Sequence, residues 1–539
     1  MSRALVVPLL LASALFLPAI GQRSIYHPDE ARYAVLAKTM LQTGQWLVPQ
    51  IADQLHLEKP PLFIWAIALV SIFTGGVTAA SATLPAAVSG IAGVAGTTLL
   101  GRRLFGARAG LMAGIVLATT PGYFWHARLV FADMMVTAFI VWSAWAFWRA
   151  LDDPERERGW IALFYVCVAL AVSAKGPAGL MPLLTCGAFV VLDRGVGGLG
   201  LFRPLMGLAI LLLVWAPWGI AFIQHGGADF MHRVASEDYA VHVGRWDRVS
   251  EVFSALGPLG VAGLPWSLFA PMAAVSGLRS TEEPTRRRFR FLGAWILAYV
   301  AVMTLMTHKR DRYLLPAYPA LALMVGWLWS ECGAARLTGT LRRHGALVMV
   351  FAMVAATVFL VPTRHRTELA VWVPDTLGRA LPVVLLLLLA GGLGFVACRA
   401  ARPHTAFTVL AVVMALLMAY ETQIFVHQYN RAYDVRGFAE RLAQRVPPAD
   451  EIVAFRYGRL AYDFYLERSI PQIRDLQELR PVLAAARPVY VLTDERGWAA
   501  LATESAGTWS VLDRAEIGGR AVLLLIHEPR RPGGGTGGA

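Results

Sequence analysis

The chain is 539 residues long, 57% hydrophobic and only 16% charged, with a mean hydropathy of +0.53. Soluble domains carry about 25% charged residues, so this composition excludes a disordered chain, a nucleic-acid-binding module and an ordinary cytosolic enzyme, and points to a polytopic membrane protein. The net charge of +13 fits basic loops lying against anionic lipid, with no need of nucleic acid.

A helix crosses a bilayer with about 20 apolar residues. Apolar runs occur at 4–20, 62–76, 84–100, 109–121, 131–149, 160–173, 177–192, 204–223, 254–277, 290–306, 313–330, 346–362, 380–397 and 405–424. The first run shares features with a signal peptide, following one Arg and ending near small residues, but the later runs make the chain a membrane protein either way. The run 62–76 follows Pro60-Pro61 and ends at Gly75-Gly76, and it reads as a helix lying at the outer surface. Thirteen crossings are then expected. Arg102, Arg103 and Arg108, the cluster Arg286, Arg287, Arg288 and Arg290, and the pair Arg342 and Arg343 all fall on one side, which the positive-inside rule makes cytoplasmic. The opposite bias is present too, since Lys309, Arg310, Arg312, Arg364 and Arg366 face outward in this arrangement.

The expected fold class is therefore an α-helical polytopic membrane protein with about 13 transmembrane helices and a small periplasmic α/β domain at the C-terminus. Residues 1–424 form the membrane domain, with 21–83 as its first periplasmic loop carrying juxtamembrane helices. Residues 425–527 have ordinary polar content, with strand-like runs at Glu451–Arg456, Val489–Thr493 and Ala521–His527 and a helical stretch at Val435–Arg445. Residues 528–539 are a Pro/Gly-rich tail expected to be disordered. Cys167, Cys186, Cys332 and Cys398 lie in or at the ends of apolar runs without metal-ligand spacing and read as buried free thiols.

Polar residues crowded between spans are costly and mark function. The loop 21–61 is the richest, with His27-Pro28-Asp29-Glu30-Ala31-Arg32-Tyr33 and then His56-Leu57-Glu58-Lys59-Pro60-Pro61. Asp133 lies between two apolar runs, where a helix-capping Asp is the plainer reading. Lys175 sits in a Gly-Pro turn, where snorkelling to the interface is the plainer one. Arg245 lies in the long outward loop 224–253, and Lys309 precedes the run 313–330. Only four of the 49 basic residues are Lys (Lys38, Lys59, Lys175 and Lys309), and all four fall on the outer side, as a site that captures a phosphate would have them. No Walker A loop, dinucleotide turn or zinc helix is present, so the donor energy is expected from something already in the membrane.

The segments Asp29-Glu30-Ala31-Arg32-Tyr33, Leu57-Glu58-Lys59-Pro60-Pro61-Leu62-Phe63, Ala174-Lys175-Gly176-Pro177 and Arg312-Tyr313-Leu314-Leu315-Pro316-Ala317-Tyr318-Pro319 closely resemble the bacterial lipid A aminoarabinose transferases. These are GT-C membrane glycosyltransferases related to the protein O-mannosyltransferases. The resemblance covers most of the chain. One departure is Thr83, where members of the family often carry Arg. The resemblance implies a GT-C fold and an inverting transfer of a sugar, 4-amino-4-deoxy-L-arabinose, from undecaprenyl phosphate to lipid A phosphate at the periplasmic face of the inner membrane. It implies Asp29, Glu58 and Asp133 as catalytic residues. It implies Arg32, Tyr33, His56, Lys59, Lys175, Arg245 and Lys309 as substrate-binding residues, with Lys59 on the donor phosphate. Some members hold a divalent metal beside the counterpart of Glu58, although no ligand set in this sequence demands one. The alternatives are a mannosyl-type transfer of a hexose to a protein or another glycan, and, in a different class, a transporter or flippase. Transporters show repeats and broken helices at mid-membrane, whereas the polar residues here crowd at one face.

Overall fold

The computed structural model describes residues 3–51, 54–56, 60–233, 250–306, 310–331, 349, 377–484, 487–502 and 507–529. The first helix, α1 (Arg3–Phe16), leads into α2 (Pro28–Thr43), an amphipathic helix too polar to span a membrane. The start of α2 follows from its sequence. His27 is the N-cap and accepts the Asp29 N–H, Pro28 occupies the first turn with no N–H to leave unsatisfied, and Asp29 and Glu30 sit at the positive end of the helix dipole. Gly44 ends it with φ +72°. A two-stranded hairpin follows, β1 (Gln50–Ile51) and β2 (Gln54–Leu55). Then comes α3 (Leu62–Thr74), which at 13 residues is short for a crossing and accords with a surface-lying helix.

The body of the protein is built from α4 (Ala79–Phe105), α5 (Ala107–Ala118), α6 (Pro121–His126), α7 (Asp133–Asp152), α8 (Glu157–Lys175), α9 (Met181–Arg194), α10 (Pro204–Arg233), α11 (Ser250–Val261), α12 (Ala270–Leu278), α13 (Glu283–Leu305), α14 (Tyr318–Glu331), α15 (Leu377–Arg399) and α16 (Pro403–Ala432). Among the described residues eight segments are long and apolar enough to cross a membrane, one of them the α8–α9 stretch Pro154–Arg194. The run 254–277 is not one continuous helix. Gly263 and Pro265 interrupt it between α11 and a short 3-10 turn, Trp266–Phe269, because Pro supplies no N–H to the ladder. The run 346–362 and Cys332 lie outside the described residues apart from Met349. Cys167, Cys186 and Cys398 are buried free thiols.

Small residues set how closely α4, α5 and α14 approach. A Cβ on Gly110 would lie 2.5 Å from the Thr98 carbonyl oxygen, and one on Gly326 would lie 2.5 Å from the Ala113 nitrogen. Without an apolar driving force between helices in lipid, such backbone-to-backbone packing supplies much of the association.

The bundle has two chemically distinct ends. Arg103 at the end of α4 pairs with Asp152 at the end of α7 at 2.7 Å, and Arg287 at the start of α13 makes a bidentate pair with Asp193 at the end of α9. Asp133 lies at the other end of α7. That helix has 20 residues, so the two charged ends stand about 30 Å apart, a bilayer core in thickness.

The C-terminal region begins with α17 (Val435–Arg445), matching the expected helix. It continues through β3 (Glu451–Phe455), α18 (Leu460–Leu466), β4 (Gln472–Ile473), α19 (Leu476–Leu483), β5 (Val489–Asp494), α20 (Glu495–Leu501), β6 (Gly507–Ile517) and β7 (Arg520–Pro529). The sheet order is β4-β3-β5-β7-β6, parallel among β4, β3 and β5 and antiparallel at β7 and β6. Alternation splits the strands cleanly. Val453, Phe455, Val489, Val491, Leu523 and Leu525 pack under α19 and α20, while Ile452, Ala454, Leu492, Val522 and Leu524 join the core shared with the helical body. The sequence reading found β3, β5 and β7 but not β6, whose Asp, Arg and Glu residues mask its period.

Gly326→Val is expected to lower the melting temperature of the detergent-purified protein, since overpacking costs about 1–3 kcal/mol. Gly293→Ala, where nothing lies within 4 Å, is expected to leave it unchanged or slightly raised. Thermal unfolding followed by circular dichroism compares the two; equal melting temperatures would remove the close-packing argument.

Candidate functional site

The site lies at the Asp133 end of the bundle, where four chain segments meet: the first turn of α2, the start of α7, the last turn of α8, and a 3-10 turn, Asp311–Ala317, that leads into α14. Asp29 Oδ2 accepts Arg312 Nη2 at 2.9 Å and a close contact from Arg310 Nη1, while Arg32 Nη1 stands 3.4 Å from Oδ1. Arg312 also reaches Asp133, its Nε 3.8 Å from Oδ2. Lys175 Nζ makes a direct ion pair with Asp133 Oδ1 and sits 4.5 Å from the centre of the Tyr313 ring. The guanidinium of Arg312 lies 4.3 Å above Phe131. The result is one continuous network: Arg32, Asp29, Arg310 and Arg312, Asp133, Lys175.

Within this network four cations share two carboxylates. Among the described residues the network thus carries more cations than carboxylates, an arrangement suited to an anionic ligand. Partial burial opposes ionisation of Asp29, but Arg310 and Arg312 outweigh it and hold the carboxyl well below the usual carboxylate range. Asp29 is therefore a full anion at any physiological pH. His27 is pushed down, first by burial and further by Arg312 and Arg310, against the pull of Asp29 and Glu30.

Tyr33 lies on the buried face of α2, edge-on to Phe63 at 5.1 Å. Burial raises its hydroxyl, and Asp133 and Asp29 add to that against Arg312 and Arg32. Its phenol thus stays neutral. His56 ends the β1–β2 hairpin, its main-chain N–H on the Pro49 carbonyl at 2.9 Å. Glu58, Lys59, Arg245 and Lys309 lie outside the described residues. Among the described residues no three His, Cys, Asp or Glu side chains come together as metal ligands.

Of the residues singled out in the sequence, Asp29, Arg32, Asp133 and Lys175 meet directly in one network. Lys38 has a different place: its Nζ donates to the Phe464 carbonyl at 3.3 Å and lies 3.8 Å from Glu467, tying α2 to α18. The sequence reading passed over Arg310 and Arg312 as site residues. It followed Lys, and so named Lys309, while Arg310 served only for orientation and Arg312 only for orientation and as the start of a family-like segment. It also gave Glu30 no role. Glu30 is buried; its Oε1 accepts the Val130 N–H at 2.9 Å and pairs with Arg23. That joins the first turn of α2 to the loop entering α7, and so fixes Asp29 relative to Asp133. The signal that could have found it is the doubled acid at a helix start, where one carboxylate suffices for the dipole.

The chain was compared with known proteins. The family described as dolichyl-phosphate-mannose-protein mannosyltransferase matches residues 58–220. A protein of Pseudomonas fluorescens (strain Pf0-1), named undecaprenyl phosphate-alpha-4-amino-4-deoxy-L-arabinose arabinosyl transferase 1, is 28% identical over 76% of this chain and 72% of its own length. Its namesake in Pseudomonas aeruginosa (strain UCBPP-PA14) is 31% identical over 64% of this chain, an alignment that spans 63% of the relative. The crystal structure of ArnT from Cupriavidus metallidurans bound to undecaprenyl phosphate superimposes with a TM-score of 0.77 at 19% identity, covering 96% of this chain and 97% of that one. The chain therefore has the GT-C fold of ArnT, and its sequence is similar to the undecaprenyl phosphate-aminoarabinose arabinosyl transferases and, over residues 58–220, to the mannosyltransferase family.

Proposed function

We propose that the protein transfers 4-amino-4-deoxy-L-arabinose from undecaprenyl phosphate to a phosphate of lipid A, at the periplasmic face of the inner membrane. The observation that carries this reading is the network in which Arg310, Arg312, Arg32 and Lys175 outnumber Asp29 and Asp133 at one end of the bundle. The relatives named above supply the sugar and the lipid carrier.

In this reading the donor is a phosphate diester of the sugar and the polyprenol. The acceptor phosphate oxygen attacks the anomeric carbon, and the bond from that carbon to the donor phosphate oxygen breaks. Undecaprenyl phosphate leaves with the electron pair, and a single displacement inverts the anomeric centre. Negative charge grows on the leaving phosphate, and Arg310, Arg312 and Lys175 are placed to stabilise it. One preorganised donor aimed at such charge is worth about 3–4 kcal/mol. Lys59 and Arg245 are assigned to the same phosphate. Asp29, kept ionised, balances the positive charge that develops on the sugar ring. An ionised acceptor phosphate has no proton to lose, so no general base is required; a hydroxyl acceptor would need one. Asp133 holds Lys175 and Arg312 in place. Glu58 is assigned to the sugar end of the pocket, and Arg32, Tyr33, His56 and Lys309 to substrate binding.

Three measurements test this. Mass spectrometry of lipid A from cells with and without the gene is expected to show loss of a pentosamine-sized addition on deletion. Unchanged lipid A under expressing conditions would overturn the acceptor and direct attention to proteins, where the match to mannosyltransferases lies. Asp29→Asn is expected to cut transfer by about 10³-fold or more while the protein still folds; near-wild-type turnover would remove Asp29 from the chemistry.

The third concerns pH. A carboxylate whose folded pKa is depressed keeps its charge until the pH falls through that low value, so the wild-type rate is expected to show no acid limb from Asp29 above pH 5. Arg310→Ala removes a lowering influence and leaves the opposing effect of burial, so the Asp29 pKa rises. The acid limb from Asp29 then moves toward higher pH. Identical pH profiles in the two proteins would mean that Arg310 does not control Asp29.

A further inference from the structure

Beside the Asp29 network lies a second basic pocket that the mechanism does not use. It is a small cleft, open at its mouth. Residues 19–21, between α1 and α2, form one side, and Thr83, Trp125, Arg128, Arg23 and Val426 complete it. Its position is fixed by the chain itself. Arg23 leads into α2, and Arg128 lies in the loop that enters α7, so the cleft is at the same end of the bundle as Asp29 and Asp133.

Arg128 is the informative residue. It is 7% exposed, and no carboxylate pairs with it among the described residues. Its Nη1 donates to the carbonyls of Leu15 at 2.9 Å and Phe16 at 3.2 Å, which caps the last turn of α1. Capping uses one corner of the guanidinium. Nε and Nη2 form the other edge, and they donate to nothing among the described residues. A guanidinium edge with two parallel N–H groups matches a phosphate's two oxygens. Burial, and then repulsion from Arg23, act against the charge on Arg128. A buried cation without a counter-ion, next to a second cation whose own charge is matched by Glu30, lacks one negative charge. The remaining lining is apolar, Ile20, Val426 and Trp125, and Trp is the residue that favours the level of lipid headgroups.

We propose that this cleft is a second phosphate site, and that it takes the phosphate of a membrane lipid headgroup, with the Arg128 Nε–Nη2 edge as its principal ligand and Arg23 beside it. It is separate from the donor phosphate site: Glu30, bonded to Arg23 on one side and Val130 on the other, stands between them. Thr83, where this chain departs from the motif it resembles, lines the same cleft.

The test uses the full chain in a neutral detergent and short-chain phosphatidic acid, a lipid with a terminal phosphate. Binding is counted by native mass spectrometry in the Arg310→Ala/Arg312→Ala background, so that the donor site contributes little. Phosphatidic acid is expected to bind at least about tenfold more tightly than phosphatidylcholine of the same chain length. Arg128→Gln is expected to remove that preference. Because Arg128 also caps α1, a second variant, Thr83→Glu, supplies the missing negative charge from the cleft wall with the cap untouched; it too is expected to remove the preference. Phosphatidic acid binding that is unchanged by Thr83→Glu would overturn the site. Displacement of the lipid by inorganic phosphate at equal concentration would overturn the lipid assignment, because a free anion would then be the ligand.

Discussion

Arg312 reaches both Asp29 and Asp133, and the arrangement of that whole end of the bundle follows from this one side chain. The two carboxylates belong to different helices, α2 and α7, that begin at the same level of the bundle. Two ionised carboxylates facing one cavity repel each other and would be driven to share a proton. A guanidinium between them lets both stay charged, and Lys175 and Arg310 complete the balance from α8 and the turn before α14. Removing one of the more buried partners, Asp133 or Arg312, leaves charge unmatched in a low-dielectric surround, which is costly. Four segments that are far apart in sequence are therefore held in register by charge at the place where chemistry is expected.

The two ends of the bundle divide the labour. At the end of Arg103 and Arg287, ion pairs fasten helix to helix, with Asp193 shared by Arg287 and Arg194 and Glu283 shared by Arg286 and Arg290. At the other end, among the described residues, Arg32, Arg310, Arg312 and Lys175 share Asp29 and Asp133 in one network that joins four chain segments. The same residue types thus clamp neighbouring helices at one end of the bundle and join segments distant in sequence at the other.

Much of this was legible in the sequence. A run of apolar residues has one stable arrangement in lipid, because backbone groups must be satisfied within the helix, so the membrane helices announce themselves. The start of α2 was legible for a similar reason: His-Pro-Asp-Glu states a cap, a first turn and a dipole within a few residues. Asp29, Asp133 and Lys175 stood out as charges beside apolar runs, and they do meet in space. What the sequence could not display was the pairing. Arg310 and Arg312 look like an ordinary basic patch until the fold carries them to Asp29, some 280 residues away in the chain. Glu30 looks like a duplicate of Asp29, and its separate task depends on Val130, which nothing local reveals. The interruption between α11 and α12 was also hidden, because hydropathy averages over a proline that the backbone ladder does not tolerate.

The loop before Asp29 is held almost entirely by residues from the far end of the chain. The Ser24 N–H donates to Asn430 Oδ1 at 2.8 Å, Asn430 Nδ2 donates to the Gln22 carbonyl at 2.7 Å, and the Ile25 N–H donates to the Tyr465 hydroxyl at 2.8 Å. The Tyr26 ring lies 4.6 Å from that of Tyr433. At the tip of the β6–β7 hairpin, the Gly518 N–H bonds to the Ala432 carbonyl at 2.7 Å, and a side chain there would strike Tyr433 and approach Tyr26. A ribosome makes residues 22–26 near the beginning of translation and their partners near its end. During synthesis and insertion, the entrance to α2 therefore waits without its anchors while the intervening helices enter the bilayer. An incomplete chain carries Asp29 on an untethered loop, and the end of the bundle that holds Asp29 takes up its final geometry only once the last strands have folded back onto the first loop.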